Sequence, residues 1–255
     1  MNIHFDNKEL YEQLLDATIA EIEFGSTIYG TNDENSDKDI MHIVACPDNL
    51  RDSFLWDSNQ LQYKADNEDH IFTTVDKFMM NLFTGDSVVN FEMIHNEDIR
   101  NTELNFLYAL RYSFYNYSTI RAYLGFARKD CKMFHKNNKK VGHAIRCLHS
   151  ARSILAKDFK LRLDDSMINT VMTTKTVKYS KKDVDTILED INNLRDIVNK
   201  KFDNGEVYRY ASLEDMQRID KCIYDLKHSN DYIKKSNYNI DLDYFYDAIE
   251  NGIEY

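Results

Sequence analysis

Gly25-Ser26-Thr27-Ile28-Tyr29-Gly30-Thr31, then Ser36-Asp37-Lys38-Asp39 opening the apolar run Ile40-Met41-His42-Ile43-Val44-Ala45, is the stretch whose reading decides the fold. The run from Ile40 reads as a buried strand, which places Asp37 and Asp39 at its mouth. Residues two apart on a strand point to one face, about 7 Å apart along the chain. Two carboxylates set that way can share divalent ions, which lie roughly 3.5–4 Å apart in two-metal sites. Upstream, Ile22-Glu23-Phe24 reads as another short strand ending at Gly25. A glycine lets the backbone approach a ligand closely, and a serine with free amides can hold a phosphate. A phosphate grip beside metal-binding carboxylates points to phosphoryl or nucleotidyl transfer.

Gly-Ser, a ten-residue gap and Asp-x-Asp resemble the signature of the DNA polymerase beta-like nucleotidyltransferases. The fuller stretch, with Tyr29, Gly30 and Ser36-Asp37-Lys38-Asp39-Ile40, is similar to one branch, the RNA-repair-associated nucleotidyltransferases of bacteria and phages. Two later stretches also resemble that branch: Asp69 to Phe78 running on to Gly85 and Asn90-Phe91-Glu92, and Lys140-Val-Gly-His143-Ala-Ile-Arg146. The resemblance covers roughly the first 155 residues. It implies an α+β fold: a small mixed sheet with flanking helices, followed by a C-terminal helical bundle. It implies transfer of an NMP from an NTP to a hydroxyl, with Mg²⁺ (or Mn²⁺) held by Asp37, Asp39 and a third carboxylate that often acts as general base. Asp69 matches the family's pattern for that carboxylate; Glu68 and Asp66 compete with it. The acceptor the branch favours is an RNA end, tRNA included. The same spacing resembles small antitoxins that transfer AMP to a partner protein, and a small-molecule acceptor or a non-catalytic nucleotide-binding module is open too.

The bulk composition bounds these readings. A chain of 255 residues suits one large domain or two small ones and can bury a sizeable core. With 29% charged and 43% hydrophobic residues it is ordinary globular protein, not a disordered one. No stretch approaches the roughly 20 apolar residues of a membrane span, and the N-terminus carries no secretory pattern. Cys46, Cys131, Cys147 and Cys222 are widely spaced, which argues for reduced thiols rather than zinc or a disulfide framework. The expectation is a cytoplasmic protein (host cytoplasm if phage-encoded) without membrane partners. A net charge of −11 argues against tight wrapping along nucleic acid. Between Arg128 and Arg146, however, seven Lys or Arg stand against the single acid Asp130. That patch reads equally as a grip for a triphosphate or RNA end and as a solvated helix face.

Periodicity organises the rest. Residues 6–19 read as a helix, with Asp6 and Glu9 in a capping pattern and Leu10, Leu14, Ala17 and Ala20 on one side. The strand from Asp39 reaches Cys46 and stops at Pro47. Residues 48–68, around Phe54, Leu55 and Trp56, read as an irregular connection. Ile71, Thr73 and Val75 alternate as in a strand, and Val75 to Phe83 switch to helical spacing. Beyond about residue 100 the pattern is helical: Leu104–Ala127, Val141–Ala156, Val184–Val198 and Leu213–Ile233. This divides the chain into a catalytic core, 1–103, and a helical nucleotide- or acceptor-binding part, 104–255.

Further candidates follow. Gly25, Ser26, Tyr29 and Gly30 form the nucleotide-binding turn, where Ser26 also suits a helix cap and Tyr29 a packed aromatic. Lys140, His143 and Arg146 fall at i, i+3 and i+6 on a helix, and Lys140 and Arg146 suit phosphate. His143 reads first as a hydrogen-bonding core residue and Glu92 as a buried or helix-capping one. Tyr108 to Tyr117 read as packing, with base stacking as the alternative.

Overall fold

The structure, a computed structural model, describes residues 2–34, 36–51, 53, 56, 60–65, 67–135, 137 and 139–251. Phe54, Leu55, Asp66 and Lys136 lie outside the described residues. The first part is a five-stranded sheet in the order β1-β4-β5-β3-β2. Its strands are β1 (Asn2–Phe5), β2 (Thr18–Phe24), β3 (Lys38–Val44), β4 (Gln60–Ala65) and β5 (Glu68–Thr74). β2 pairs antiparallel with β3 and β4 with β5, whereas β3–β5 and β1–β4 are parallel. The fold is α+β: this mixed sheet, flanking helices and a C-terminal run of helices. No helix among the described residues is long and apolar enough to cross a membrane.

Two sequence expectations shift by local chemistry. The first helix, α1, spans Lys8–Asp16 rather than 6–19, and α2 is the single turn Ser26–Tyr29. Asn7, not Asp6, caps α1, accepting from Leu10 N at 2.9 Å. Thr18, Ile19 and Ala20 leave the helical pattern because they extend β2, where Thr18 pairs with Val44 and Ala20 with Ile43; β-branched residues fit a pleated surface better than a helix. β1 and β4 have no counterpart in the sequence reading. Both are short, with Ile3 and Phe5 of β1 and Leu61 and Tyr63 of β4 on one face.

Pleating gives the sheet two faces. Ile22 and Phe24 of β2 and Met41 and Ile43 of β3 point into a large cluster shared with α3 (Val75–Thr84), α4 (Val88–Met93) and the long helices beyond. Phe72 of β5, Leu61 of β4 and Ile3 of β1 point the other way, where α1 and the last helix, Leu242–Asn251, close the sheet. The expected helix over Leu104–Ala127 is interrupted: α5 (Asn105–Leu110) passes through a 3₁₀ turn at Arg111–Phe114 before α6 (Tyr117–Lys132). Asn116 makes the break by capping α6, its side chain accepting from Thr119 N at 3.1 Å. Ser229 likewise divides the segment expected at Leu213–Ile233 into α10 (Leu213–Lys227) and α11 (Asn230–Ser236), accepting from Tyr232 N. Between them run α7 (Lys139–Ala156), α8 (Asp165–Thr173) and α9 (Lys181–Asp203). α6 and α7 pack along one another and bury Tyr123, Ala127, Ala144 and Cys147 completely.

Phe78 of α3 is fully buried in the cluster that seats the helices on the sheet. Phe78→Ala is expected to lower unfolding stability by about 3–5 kcal/mol in urea titrations.

Candidate active site

The parallel pairing of β3 with β5 sets Asp39 directly beside Asp69, and the pairing of β4 with β5 sets Lys64 beside Asp69. Asp39 therefore stands between Asp69 on one side and, through the β2–β3 pairing, Phe24 on the other. Neighbouring strands lie about 4.8 Å apart, so the two carboxylates are first neighbours on the face that Met41 and Ile43 share. Asp37, two residues before Asp39, joins them. Lys64 Nζ stands 3.3 Å from Asp37 Oδ2 and 4.0 Å from Asp69 Oδ1. Burial, then Asp69, Asp37 and Glu23, push Asp39 up to about 6 against the opposing pull of Lys64. Asp69 Oδ1 is buried and has no hydrogen-bond partner.

Gly25 follows from the same register. Its φ of +82° is a left-handed backbone that favours glycine, and a Cβ there would sit 2.1 Å from Asp39 Oδ2. Gly-Ser and Asp-x-Asp are thus one packed unit, although ten residues of loop separate them. Ser26 opens the single helical turn Ser26–Tyr29, and Thr31 N closes it by donating to Ser26 O at 3.0 Å. Gly30 ends the turn at φ +77°.

A cavity of about 530 Å³ opens on this unit and is lined by Gly25, Ser26, Tyr29, Asp37, Asp39 and Arg146 among the predicted residues. Gly30, Asp69 and Lys140 are not on its wall. Asp69 flanks Asp39 from the next strand, and Lys140 turns to Asp130, 3.2 Å from Oδ1. Along α7 the residues that face the cavity are Lys139, Gly142, His143 and Arg146, spaced i, i+3, i+4 and i+7. Lys139, not Lys140, is in phase with His143, a signal present in the helical period but overlooked for Lys140's place in the motif. Lys175, beyond α8, also lines the cavity; its Nζ donates to Thr31 O at 2.9 Å and to Asp33 Oδ2 at 2.6 Å. No local pattern marks Lys175, which meets the turn across 144 positions of sequence. A larger cavity, about 790 Å³, lies past the far end of β3 beside Cys46 and Lys77, and none of the predicted site residues line it.

Arg146 and Tyr29 are tied up in a buried group. Glu92 is fully buried and accepts from Tyr29 Oη, from Tyr123 Oη at 2.9 Å and from Arg146 Nη1 at 2.5 Å. The Arg146 guanidinium carbon lies 3.9 Å from the Tyr29 ring centroid. Burial pushes both tyrosine hydroxyls well above their usual range, so both remain donors. The sequence reading of Glu92 as buried matches its place here, whereas the charge of Arg146 is matched by Glu92 rather than left for phosphate.

The donor set at Asp37, Asp39 and Asp69 suits a hard divalent cation: carboxylate oxygens only, a surplus of negative charge and one orphaned oxygen. Among the described residues no three such side chains stand close enough to form a finished metal cage; Lys64 instead bridges toward Asp37 and Asp69.

No protein-family model matches the chain, and no curated protein matches it. Among solved structures, a nucleotidyltransferase-like protein from Exiguobacterium sibiricum 255-15 is similar over 89% of this chain and 84% of its own, at 10% identity and a TM-score of 0.28.

Two outcomes are expected. In chelator at pH 7.5, Asp39→Asn should raise the Tm, because an acid whose folded pKa is raised costs stability once ionised. That gain should vanish below about pH 4, where Asp39 is protonated folded and unfolded alike. Arg146→Met should cost about 3–5 kcal/mol by leaving Glu92 buried and uncompensated, while Arg146→Met with Glu92→Leu should recover much of it in a double-mutant cycle.

Proposed function

We propose that this chain is a divalent-metal-dependent nucleotidyltransferase that moves an NMP from an NTP to a hydroxyl and releases pyrophosphate. The observation that carries the reading is the in-register pair Asp39 and Asp69, joined by Asp37 and packed against Gly25, at the edge of a cavity that also holds Ser26. Asp37 and Asp39 would hold Mg²⁺ or Mn²⁺; when bound, such an ion polarises phosphoryl oxygens and lowers the pKa of an attacking hydroxyl. Ser26 binds a phosphate oxygen of the NTP through its hydroxyl. Asp69, beside Asp39 on the next strand, would take the acceptor's proton on its carboxylate. The hydroxyl oxygen bonds the α-phosphorus, the bond from that phosphorus to the β-phosphate oxygen breaks, and pyrophosphate carries away the electron pair.

The acceptor we propose is an RNA end. The Arg111 guanidinium carbon lies 3.9 Å from the Tyr108 ring centroid and 4.4 Å from that of Tyr112, and Tyr112 is 59% exposed, an aromatic and cationic surface on which an unpaired base can stack.

Each α-labelled NTP, offered with Mg²⁺ or Mn²⁺ to mixed tRNA and to host lysate, tests this. Label is expected on RNA, with transfer falling roughly 10²-fold or more in Asp37→Ala/Asp39→Ala. Label on protein would move the acceptor to a partner protein, and no transfer to anything would overturn the enzyme reading. Mn²⁺ binding followed by electron paramagnetic resonance should be lost in the same variant, whatever the acceptor.

A further inference from the structure

Lys140 and Arg146, the cations that the helical spacing singles out, are both matched by buried carboxylates. A cation that reaches the cavity must be sought elsewhere on α7. Asp130 of α6 is buried and uses its two oxygens on two partners of α7: Oδ1 faces Lys140 Nζ at 3.2 Å, and Oδ2 accepts from His143 Nδ1. One carboxylate against two cations leaves an excess positive charge, and of that trio only His143 lines the cavity. With Nδ1 engaged by Asp130, the other ring N–H, at Nε2, is the donor that remains. Cys147 Sγ does not take it in line: the sulfur is 3.7 Å from Nε2 and 3.9 Å from Nδ1, nearly equidistant, so it rests against the ring. The charged and titratable groups around His143 are Asp130 from α6, Lys139, Lys140, Arg146 and the Cys147 thiol on its own helix, Lys175 from beyond α8, and Asp37, Asp39 and Asp86 on the remaining wall. Burial works against the imidazolium, while Cys147 beside the ring and the Asp130 carboxylate on Nδ1 oppose it and raise His143 above its ordinary range, to about 9.

We propose that His143, oriented by Asp130, binds the phosphate end of the substrate: its Nε2–H donates to an oxygen of the NTP's β,γ-phosphates and of the pyrophosphate formed from them. This rests on the nucleotidyltransferase reading for the identity of the anion. Lys139, one turn earlier, adds positive charge along the same wall, whereas Lys175 there is ion-paired with Asp33. The cavity is accordingly acidic where the strands end and cationic along α7, the arrangement a metal-bridged polyphosphate needs. His143 touches the substrate; Asp130 is a positioning residue that acts through it.

Side-chain imidazole NMR on the intact protein tests this without any turnover. The resonance absent in His143→Gln is followed from pH 6 to 10.5, with and without inorganic pyrophosphate and Mg²⁺. Pyrophosphate is expected to shift that resonance and raise its midpoint, and Asp130→Asn to return the midpoint toward the ordinary imidazole range. Pyrophosphate affinity by calorimetry should fall roughly ten- to a hundredfold between pH 7.5 and 10 in the wild type, and lose most of that pH dependence in His143→Gln. Should His143→Gln not fold, Asp130→Asn identifies the same resonance by its lowered midpoint. A His143 resonance that pyrophosphate leaves unmoved, with unchanged affinity in either variant, would overturn the inference. Persisting transfer of label to RNA alongside that result would leave the transferase reading standing, so the two failures are separable.

Discussion

The carboxylate of Glu92 is the interaction on which the rest of the arrangement depends. It has no access to solvent, and a lone buried carboxylate is costly enough that its partners must be supplied. They come from three separate pieces of chain: Tyr29 from the turn after β2, Tyr123 from α6 and Arg146 from α7. Satisfying Glu92 therefore fixes how the helical part meets the sheet. Because Tyr29 closes the turn that begins at Ser26, the same group fixes where that turn stands relative to α7. Leu163 N, donating to Tyr29 O, and Lys175, bonded to Thr31 O, hold the turn from the α8 side. The cavity is the space left between these restraints.

The acidic corner has the opposite character. Asp37, Asp39 and Asp69 share little hydrogen bonding, and like charge raises Asp39 instead of being cancelled. Glu92 is a charge that folding has matched; the Asp37–Asp39–Asp69 corner is one that folding leaves for something else to match, with Lys64 a partial substitute. The two sets of carboxylates thus differ, one holding the scaffold and the other left largely unmatched. Unmatched charge in a cleft is the usual physical mark of a working site.

Much of this was readable from local sequence. The strand that begins at Lys38, the turn at Gly25 and the direction of Asp37 and Asp39 depend on residues that are neighbours in the chain or across one strand pairing. The resemblance points to Asp69, with Glu68 and Asp66 as competitors, and parallel pairing puts Asp69 beside Asp39. What was not readable depends on contacts at long range. Nothing near Arg146 says that its charge ends on Glu92, 54 positions away, nor that Lys175 reaches Thr31. β1 and β4 do alternate, Ile3 and Phe5 in one and Leu61, Tyr63 and Ala65 in the other, and were overlooked because each is short; the breaks at Asn116 and Ser229 lie inside runs whose apolar period carries on through them. In those runs a single capping side chain outweighed the period.

The claim at the centre of this account is that one cavity joins an acidic metal-binding corner to a cationic phosphate wall. A crystal structure with Mn²⁺ and a non-hydrolysable NTP analogue tests it most directly. The account predicts manganese anomalous signal on Asp37 and Asp39 and the β,γ-phosphates within hydrogen-bond distance of Ser26 and His143. Nucleotide bound instead in the cavity beside Lys77, or manganese absent from Asp37 and Asp39, would contradict it.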